Sequence, residues 1–334
     1  MVSAKTIALG IAAVAIAITG QVHGAWLSDT QSIMGTEVTV TAWHKKEAVL
    51  AQALSDVMDE MRRIDSSLSP YKPESELSLA NRNAVVAPFA VSDELAFLID
   101  KSLYFGRLSH GAFDITFASV GRYYDYRNKQ VPEDTKRQAL LSAIDYQHVK
   151  LNKQKQTLFF TNPHVYIDLG GMAKGYAVDR AAEVLKAAGV VNATVSAGGD
   201  SRVIGDKMGR PWIIGIKNPR QKAGESETVI RMPLENVAVS TSGDYERFFI
   251  EAASGERIHH ILNPRTGSSA KGVVSVTILG DLGVDTDPLS TTVFVLGVEK
   301  GLALVNSLKG FDCVIIDSFG NTHYSDGLST PNVN

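Results

Sequence analysis

A short strand, a glycine-rich turn and a long helix follow one another without a gap over residues 165–188, and that junction constrains the chain more than any other segment. Val165, Tyr166 and Ile167 read as the strand. From Met172 onward, Ala173, Ala177, Ala181, Val184, Leu185 and Ala188 recur at helical spacing until Gly189 stops the helix. Between them run Asp168, Leu169, Gly170, Gly171, Met172, Ala173, Lys174 and Gly175. Glycines in such a turn let another backbone or a ligand approach closely. Free N–H groups of the first helical turn, the positive end of the helix dipole and Lys174 together suit an anion, phosphate above all. A carboxylate beside a phosphate site suggests a metal or a base. The same residues also read as an ordinary strand-to-helix turn with a surface lysine, so the junction does not decide between the two by itself.

Composition narrows what the junction can serve. The chain has 334 residues, 44% hydrophobic and 21% charged, enough for a substantial core and for one or two domains, which excludes disordered and fibrous classes. A formal charge of −3 with no block of like charges gives no electrostatic argument for nucleic acid or an anionic membrane surface. A small ligand or a protein partner remains. At the start, Lys5 precedes an uncharged apolar stretch over residues 6–20, with small residues around Gly24 and Ala25. This is the pattern of a secretory signal occupying residues 1–25, followed by a single domain over residues 26–334. Left uncleaved, residues 6–27 are just long enough to anchor in a bilayer, although Gln21 and His23 weaken that reading. Export to the periplasm or the outer face of the inner membrane is therefore expected. No cysteine lies near the signal, which excludes a lipid anchor there. Cys313 is the only cysteine and sits in the apolar run of residues 311–316, where it reads as an inert core thiol.

Strands and helices are mixed without strict alternation. Residues 37–43 alternate as a strand, and residues 47–64 carry Val49, Ala53, Leu54, Val57, Met58, Met61 and Ile64 on one helical face. A second helix is expected from Ser92 as N-cap to about Arg107, and a third over residues 132–144. Residues 150–161 resemble a polar-tipped hairpin, and residues 193–204, 211–217, 228–239, 246–251 and 272–279 are strand-like. Long helices separated by groups of strands indicate an α+β fold with mixed or antiparallel sheets and packed helices.

Three further clusters carry chemistry. Asp285, Thr286, Asp287, Pro288, Leu289, Ser290 and Thr291 set two carboxylates ahead of a helix expected to follow Pro288. With Asp287 as N-cap, Thr291 lies one turn on, and the two oxygens suit a hard cation such as magnesium or calcium. Aspartate at the N-cap followed by proline is also ordinary capping. Ser240, Thr241, Ser242, Gly243 and Asp244 precede Arg247, and then come His259, His260, Ile261 and a turn over residues 263–267. The paired histidines lack the cysteine or HExxH partners of a zinc site, which favours a structural or proton-transfer role. Finally, His110, Gly111, Ala112, Phe113 and Asp114 place a carboxylate among apolar residues after a helix and read as a helix exit into a strand.

Taken in order, these segments resemble the ApbE-like FAD:protein FMN transferases. Met34, Gly35 and Thr36 resemble the family's entry motif, and Ser69, Pro70, Tyr71 with Ser75, Glu76, Leu77 and Ser78 its flavin-contacting segment. Ala112 to Asp114, the 168–175 turn, Ser240 to Gly243, the 260–267 stretch and Asp287 with Thr291 complete seven motifs in sequence order across nearly all of the mature chain. The resemblance implies an ApbE-like fold and transfer of FMN from FAD to a threonine hydroxyl of an acceptor flavoprotein, with AMP released and magnesium required. It implies that Asp287, Thr291 and the Gly171 carbonyl hold magnesium. It further implies that Met34, Tyr71, Ala112, Phe113, Asp114, Asp168, Lys174 and Ile261 contact FAD. His260 is the first choice as general base, with Asp168 and Asp285 as rivals. Asn263 departs from the aspartate common in the family but keeps the turn-forming ability. Water in place of threonine would make the chain an FAD pyrophosphatase, and loss of chemistry altogether would leave an FAD-binding carrier.

Overall fold

The computed structural model of the chain describes residues 24–221, 226–252 and 254–329. The expected targeting segment lies, apart from its last two residues, outside the described residues. Among those described, no helix is long and apolar enough to cross a membrane.

The core is built on an eight-stranded sheet whose order is Ala25–Ile33, Thr36–His44, Asn192–Ala197, Asp200–Ile204, Ala238–Gly243, Val273–Gly280, Asp312–Asp317 and Thr322–Tyr324. Every neighbouring pair is antiparallel. The first two strands are a hairpin closed by Met34 and Gly35, both at positive φ, 56° and 70°. Both central residues at positive φ match the right-handed twist of the flanking strands.

Helices cover one face of this sheet. The Glu47–Leu68 helix buries Leu50, Ala53, Leu54, Val57, Met58, Met61, Ile64 and Leu68, a stripe two residues in every turn wide. Each fully buried aliphatic side chain there stabilises by roughly 1.5–3 kcal/mol relative to exposure. The Ala173–Ala187 and Gly283–Leu296 helices pack on each other, and the second lies against strands Ala238–Gly243 and Val273–Gly280. On the far face, a two-stranded ribbon of Trp212–Lys217 and Thr228–Leu234 sets Ile216 and Met232 against Leu279, Val314 and Ile316. Covered on both sides, Val273–Gly280 is buried along its whole length, which is why its sequence does not alternate.

The arrangement is the α+β class expected, and most elements fall where periodicity sets them. Asp93–Leu108 begins after Ser92, whose hydroxyl accepts from the Leu95 N–H at 3.1 Å. Val149–Asn152 and Thr157–Phe160 form the expected hairpin. Three local readings are corrected. Residues 165–167 are extended but form no ladder: Tyr166 N–H donates to Ser119, and Ile167 exchanges both backbone bonds with the Asn81 side chain. Side chains satisfy this backbone where a neighbouring strand would have. Asp114 leads into a 3-10 turn, Ile115–Phe117, and not into a strand, because its carboxylate caps that turn at Thr116. The last long helix begins at Gly283 and not at Pro288, so Asp287 is inside the helix and is not its N-cap. The start is capped from a distance, the Asp179 carboxylate accepting from Gly283 and Val284 N–H at 2.8 and 2.9 Å.

Candidate active site

The two helix starts meet at a pair of glycines. A Cβ on Gly175 would stand 2.1 Å from the Gly283 carbonyl oxygen, and one on Gly283 would stand 2.3 Å from the Gly175 oxygen. Neither position accepts a side chain without displacing backbone. This close crossing lets Gly175 N–H donate to Asp287 Oδ2 at 3.0 Å, joining motifs more than a hundred residues apart. Gly171 meets the same helix one turn on. A Cβ on Gly171 would lie 3.3 Å from Thr291 Oγ1 and 3.3 Å from Phe113 Cε2. Gly171, Asp287 and Thr291, expected together from sequence, are therefore neighbours.

Lys174 is not a free anion receptor. Its ammonium donates to Asp200 at 2.5 Å and lies 3.7 Å from Asp287. Burial acts to lower its pKa, but the two carboxylates outweigh that and hold it above the usual lysine range. The first-turn amides are also partly engaged, since Ala173 N–H donates to the Leu169 carbonyl and Gly175 N–H to Asp287. Asp200 is 1% exposed and escaped the sequence reading altogether. Its cue was the glycine pair before it: Gly198 turns at φ 63°, and Gly199 is so tight against the Thr241 carbonyl that a Cβ would stand 2.3 Å away. That turn sets Asp200 opposite Ser240 in the sheet. Asp287 is 3% exposed, and burial followed by the nearby Asp200 charge pushes its carboxyl well above the usual aspartate range.

A row of hydroxyls backs the helix. Ser240 and Thr286 share a hydrogen bond of 2.7 Å, and Ser242 lies 2.8 Å from Ser290 and 3.2 Å from Thr291 Oγ1. Asp168 is half-buried; burial raises its carboxyl pKa against the Gly170 N–H, donating at 2.6 Å, and the charge of Arg247.

The paired histidines divide. His259 is 3% exposed, its Nε2 2.9 Å from the Ala270 carbonyl and its Nδ1 accepting from Ile261 N–H at 3.3 Å, with Phe294 edge-on to the ring. These bonds are structural. His260 Nδ1 is buried with no hydrogen-bond partner among the described residues, and its pKa is lowered to about 3 by burial and then by the Arg247, His259 and Lys174 charges. Its imidazole is neutral across the physiological range.

Of the remaining residues expected to contact FAD, Tyr71 stands 79% exposed, and Met34 sits at the hairpin tip, packed partly on the core. Ala112, Phe113 and Ile261 are buried, Phe113 edge-on to Phe105. Asp114 is buried too; its carboxylate accepts from Thr116 N–H and Oγ1–H and from Tyr146 N–H, and burial still pushes it up to about 6. Of the rival bases, Asp285 is paired with Lys101 at 2.5 Å. Cys313 is buried in its strand, as expected.

Comparison with known proteins shows the family and the fold. The ApbE family model matches residues 34–315. An FAD:protein FMN transferase of Haemophilus influenzae is 33% identical over 252 residues, covering 72% of this chain and 72% of its own. That of Treponema pallidum is 30% identical over 307 residues, covering 86% and 84%. Among solved structures, the ApbE protein of Thermotoga maritima superposes with a TM-score of 0.83 at 32% identity, covering 91% of this chain and 98% of that one. The flavin transferase ApbE of Vibrio cholerae gives 0.79 at 26% identity, covering 91% and 97%.

Proposed function

The chain belongs to the ApbE family and is a transferase, and from that premise we propose that it is an FAD:protein FMN transferase that moves FMN onto a threonine hydroxyl of an acceptor flavoprotein. The observation that carries this reading is the convergence of Gly171, Asp287 and Thr291 across the paired helix starts, with the neutral imidazole of His260 within reach of the Lys174 and Arg247 charges.

The oxygen set fits magnesium. No group of three or more His, Cys, Asp or Glu able to hold a metal occurs among the described residues, and the proposed set needs only one carboxylate, one hydroxyl and one carbonyl. Magnesium typically binds proteins through one or two carboxylates and takes its remaining partners from water and phosphate. Asp200 Oδ1, buried with no partner, shows that acceptor capacity at the acidic side of the site is unsatisfied. Asp287, Thr291 and the Gly171 carbonyl would hold the ion, which would supply charge neutralisation on the pyrophosphate.

The chain's own residues do the rest. Lys174, fixed between Asp200 and Asp287, holds the latter carboxylate in place. In the transfer, the threonine Oγ–H bond breaks and an Oγ–P bond forms to the FMN phosphorus. The bond from that phosphorus to the bridging oxygen breaks, and its electron pair leaves with AMP. The His260 imidazole, already neutral, takes the threonine proton. The acceptor reaches the chain after export, on the outer side of the inner membrane.

Purified protein incubated with FAD, magnesium and a threonine-bearing acceptor should add covalent FMN to the acceptor, read by intact mass, with one AMP released per adduct. AMP without adduct would replace this reading with FAD hydrolysis, and FAD recovered intact would replace it with a carrier. Asp287→Ala should abolish turnover; full activity in that variant would remove the metal assignment.

A further inference from the structure

Arg247 lies between the serine and histidine clusters, and neither the fold nor the proposed reaction gives its side chain a task. It follows Tyr245 and Glu246 after the Ala238–Gly243 strand, and its carbonyl accepts from His260 N–H at 3.1 Å. That bond fixes its backbone beside the general base. Its side chain is exposed and, among the described residues, makes no hydrogen bond and no ion pair. Other arginines around it are spent. Arg220 grips Asp244 with two bonds of 2.8 and 2.5 Å, Arg257 approaches the same carboxylate, and Arg202 pairs with Asp179.

The guanidinium nevertheless has a defined place. A Cβ on Gly35 would stand 3.7 Å from an Arg247 terminal nitrogen, so the group lies over the Met34–Gly35 hairpin tip. From there its charge acts on Asp168, Lys174, His260, Tyr71 and Tyr126, residues that four separate segments bring around it. Asp168 is the carboxylate among these, and it draws its hydrogen bond from Gly170, not from Arg247. The two cations of this region therefore differ: Lys174 is paired with Asp200 and Asp287, whereas the Arg247 guanidinium forms no ion pair among the described residues.

We propose that Arg247 is a phosphate-binding residue of this site, its guanidinium taking non-bridging oxygens of the FAD pyrophosphate. The assignment rests on the FAD reading above and moves the anion-binding task from Lys174, where the sequence put it, to the opposite wall. Guanidinium suits the task, since its planar fork gives two parallel hydrogen bonds to a phosphate and it stays charged at any physiological pH. An exposed arginine with no internal partner also costs the fold nothing to redirect to a ligand.

The test measures binding, without acceptor or turnover. Arg247→Ala, Arg247→Lys and wild type are titrated with FAD, with ADP as a pyrophosphate lacking flavin, and with riboflavin as a flavin lacking phosphate. A charge-assisted pair predicts that Arg247→Ala weakens FAD and ADP by about ten- to a hundredfold, that Arg247→Lys falls between, and that riboflavin binding is unchanged. Unfolding midpoints within about 1 °C of wild type would show that the fold is intact, as the absence of internal bonds requires. FAD binding within twofold of wild type in Arg247→Ala overturns the proposal, and so does an equal loss for riboflavin, which would make Arg247 a flavin-stacking residue. Wild type that binds no FAD overturns the FAD reading itself, an outcome separate from either of these.

Discussion

Single residues in this site look alike in sequence and differ in what surrounds them. His259 and His260 are adjacent, yet one is bonded at both ring nitrogens and the other carries a buried Nδ1 with no partner. His259→Ala should therefore cost about 2–4 kcal/mol in urea unfolding, through a lost core side chain and an orphaned Ala270 carbonyl. His260→Ala should leave that midpoint nearly unchanged and lower kcat by roughly 10²- to 10⁴-fold. The reverse pattern would exchange their roles. Protonation gives an independent readout. The folded-state pKa of His260, about 3, lies below its unfolded value of roughly 6.5, so between those values the unfolded chain binds the extra proton. Stability should fall on acidification through that window, and His260→Asn should flatten the slope. The residue types of the site were legible: Gly171, Asp287, Thr291 and His260 were all named by their local patterns. Asp200 was not, because its importance comes from Lys174, 26 positions away, and no local spacing records a pairing across a sheet.

Among the elements, the crossing of the Ala173–Ala187 and Gly283–Leu296 helices decides the geometry of everything around it. Gly175→Ala puts a methyl 2.1 Å from the Gly283 oxygen and 2.7 Å from Asp287 Cβ, so the helix starts must separate. Overpacking of this kind costs typically 1–3 kcal/mol, and here the obstacle is backbone, so about 3 kcal/mol is expected together with loss of transfer activity. An alanine variant that unfolds at the wild-type urea concentration would mean the helices are not held at this distance. Periodicity located both helices but misplaced one start. Proline and aspartate at residues 287–288 imitate a helix N-terminus, whereas the first turn is capped by Asp179, 104 residues earlier. The strand expected at residues 165–167 failed for a related reason. Its alternation is right for an extended segment, but the partners are the side chains of Asn81 and Ser119, which no pattern of apolar residues reveals.

For the whole molecule, the α+β class could be read from long helices set between groups of strands, while the strand order could not. The Thr36–His44 strand pairs with its own hairpin partner on one side and with Asn192–Ala197, some 150 residues later, on the other. Local patterns specify the first pairing; only the folded topology specifies the second. The same order has a consequence in time. Hairpins and the Glu47–Leu68 helix can form from near neighbours, whereas the contacts that bring Gly171 to Thr291 and Gly175 to Asp287 close loops of more than a hundred residues, which is the slow part of folding. On dilution from urea, far-ultraviolet circular dichroism should recover before the quenching of FAD fluorescence on binding, and simultaneous recovery would refute the sequence of events. The paired glycines that make the site possible would then also make it the last part of the molecule to exist, so that a chain able to hold its nucleotide is one that has finished folding.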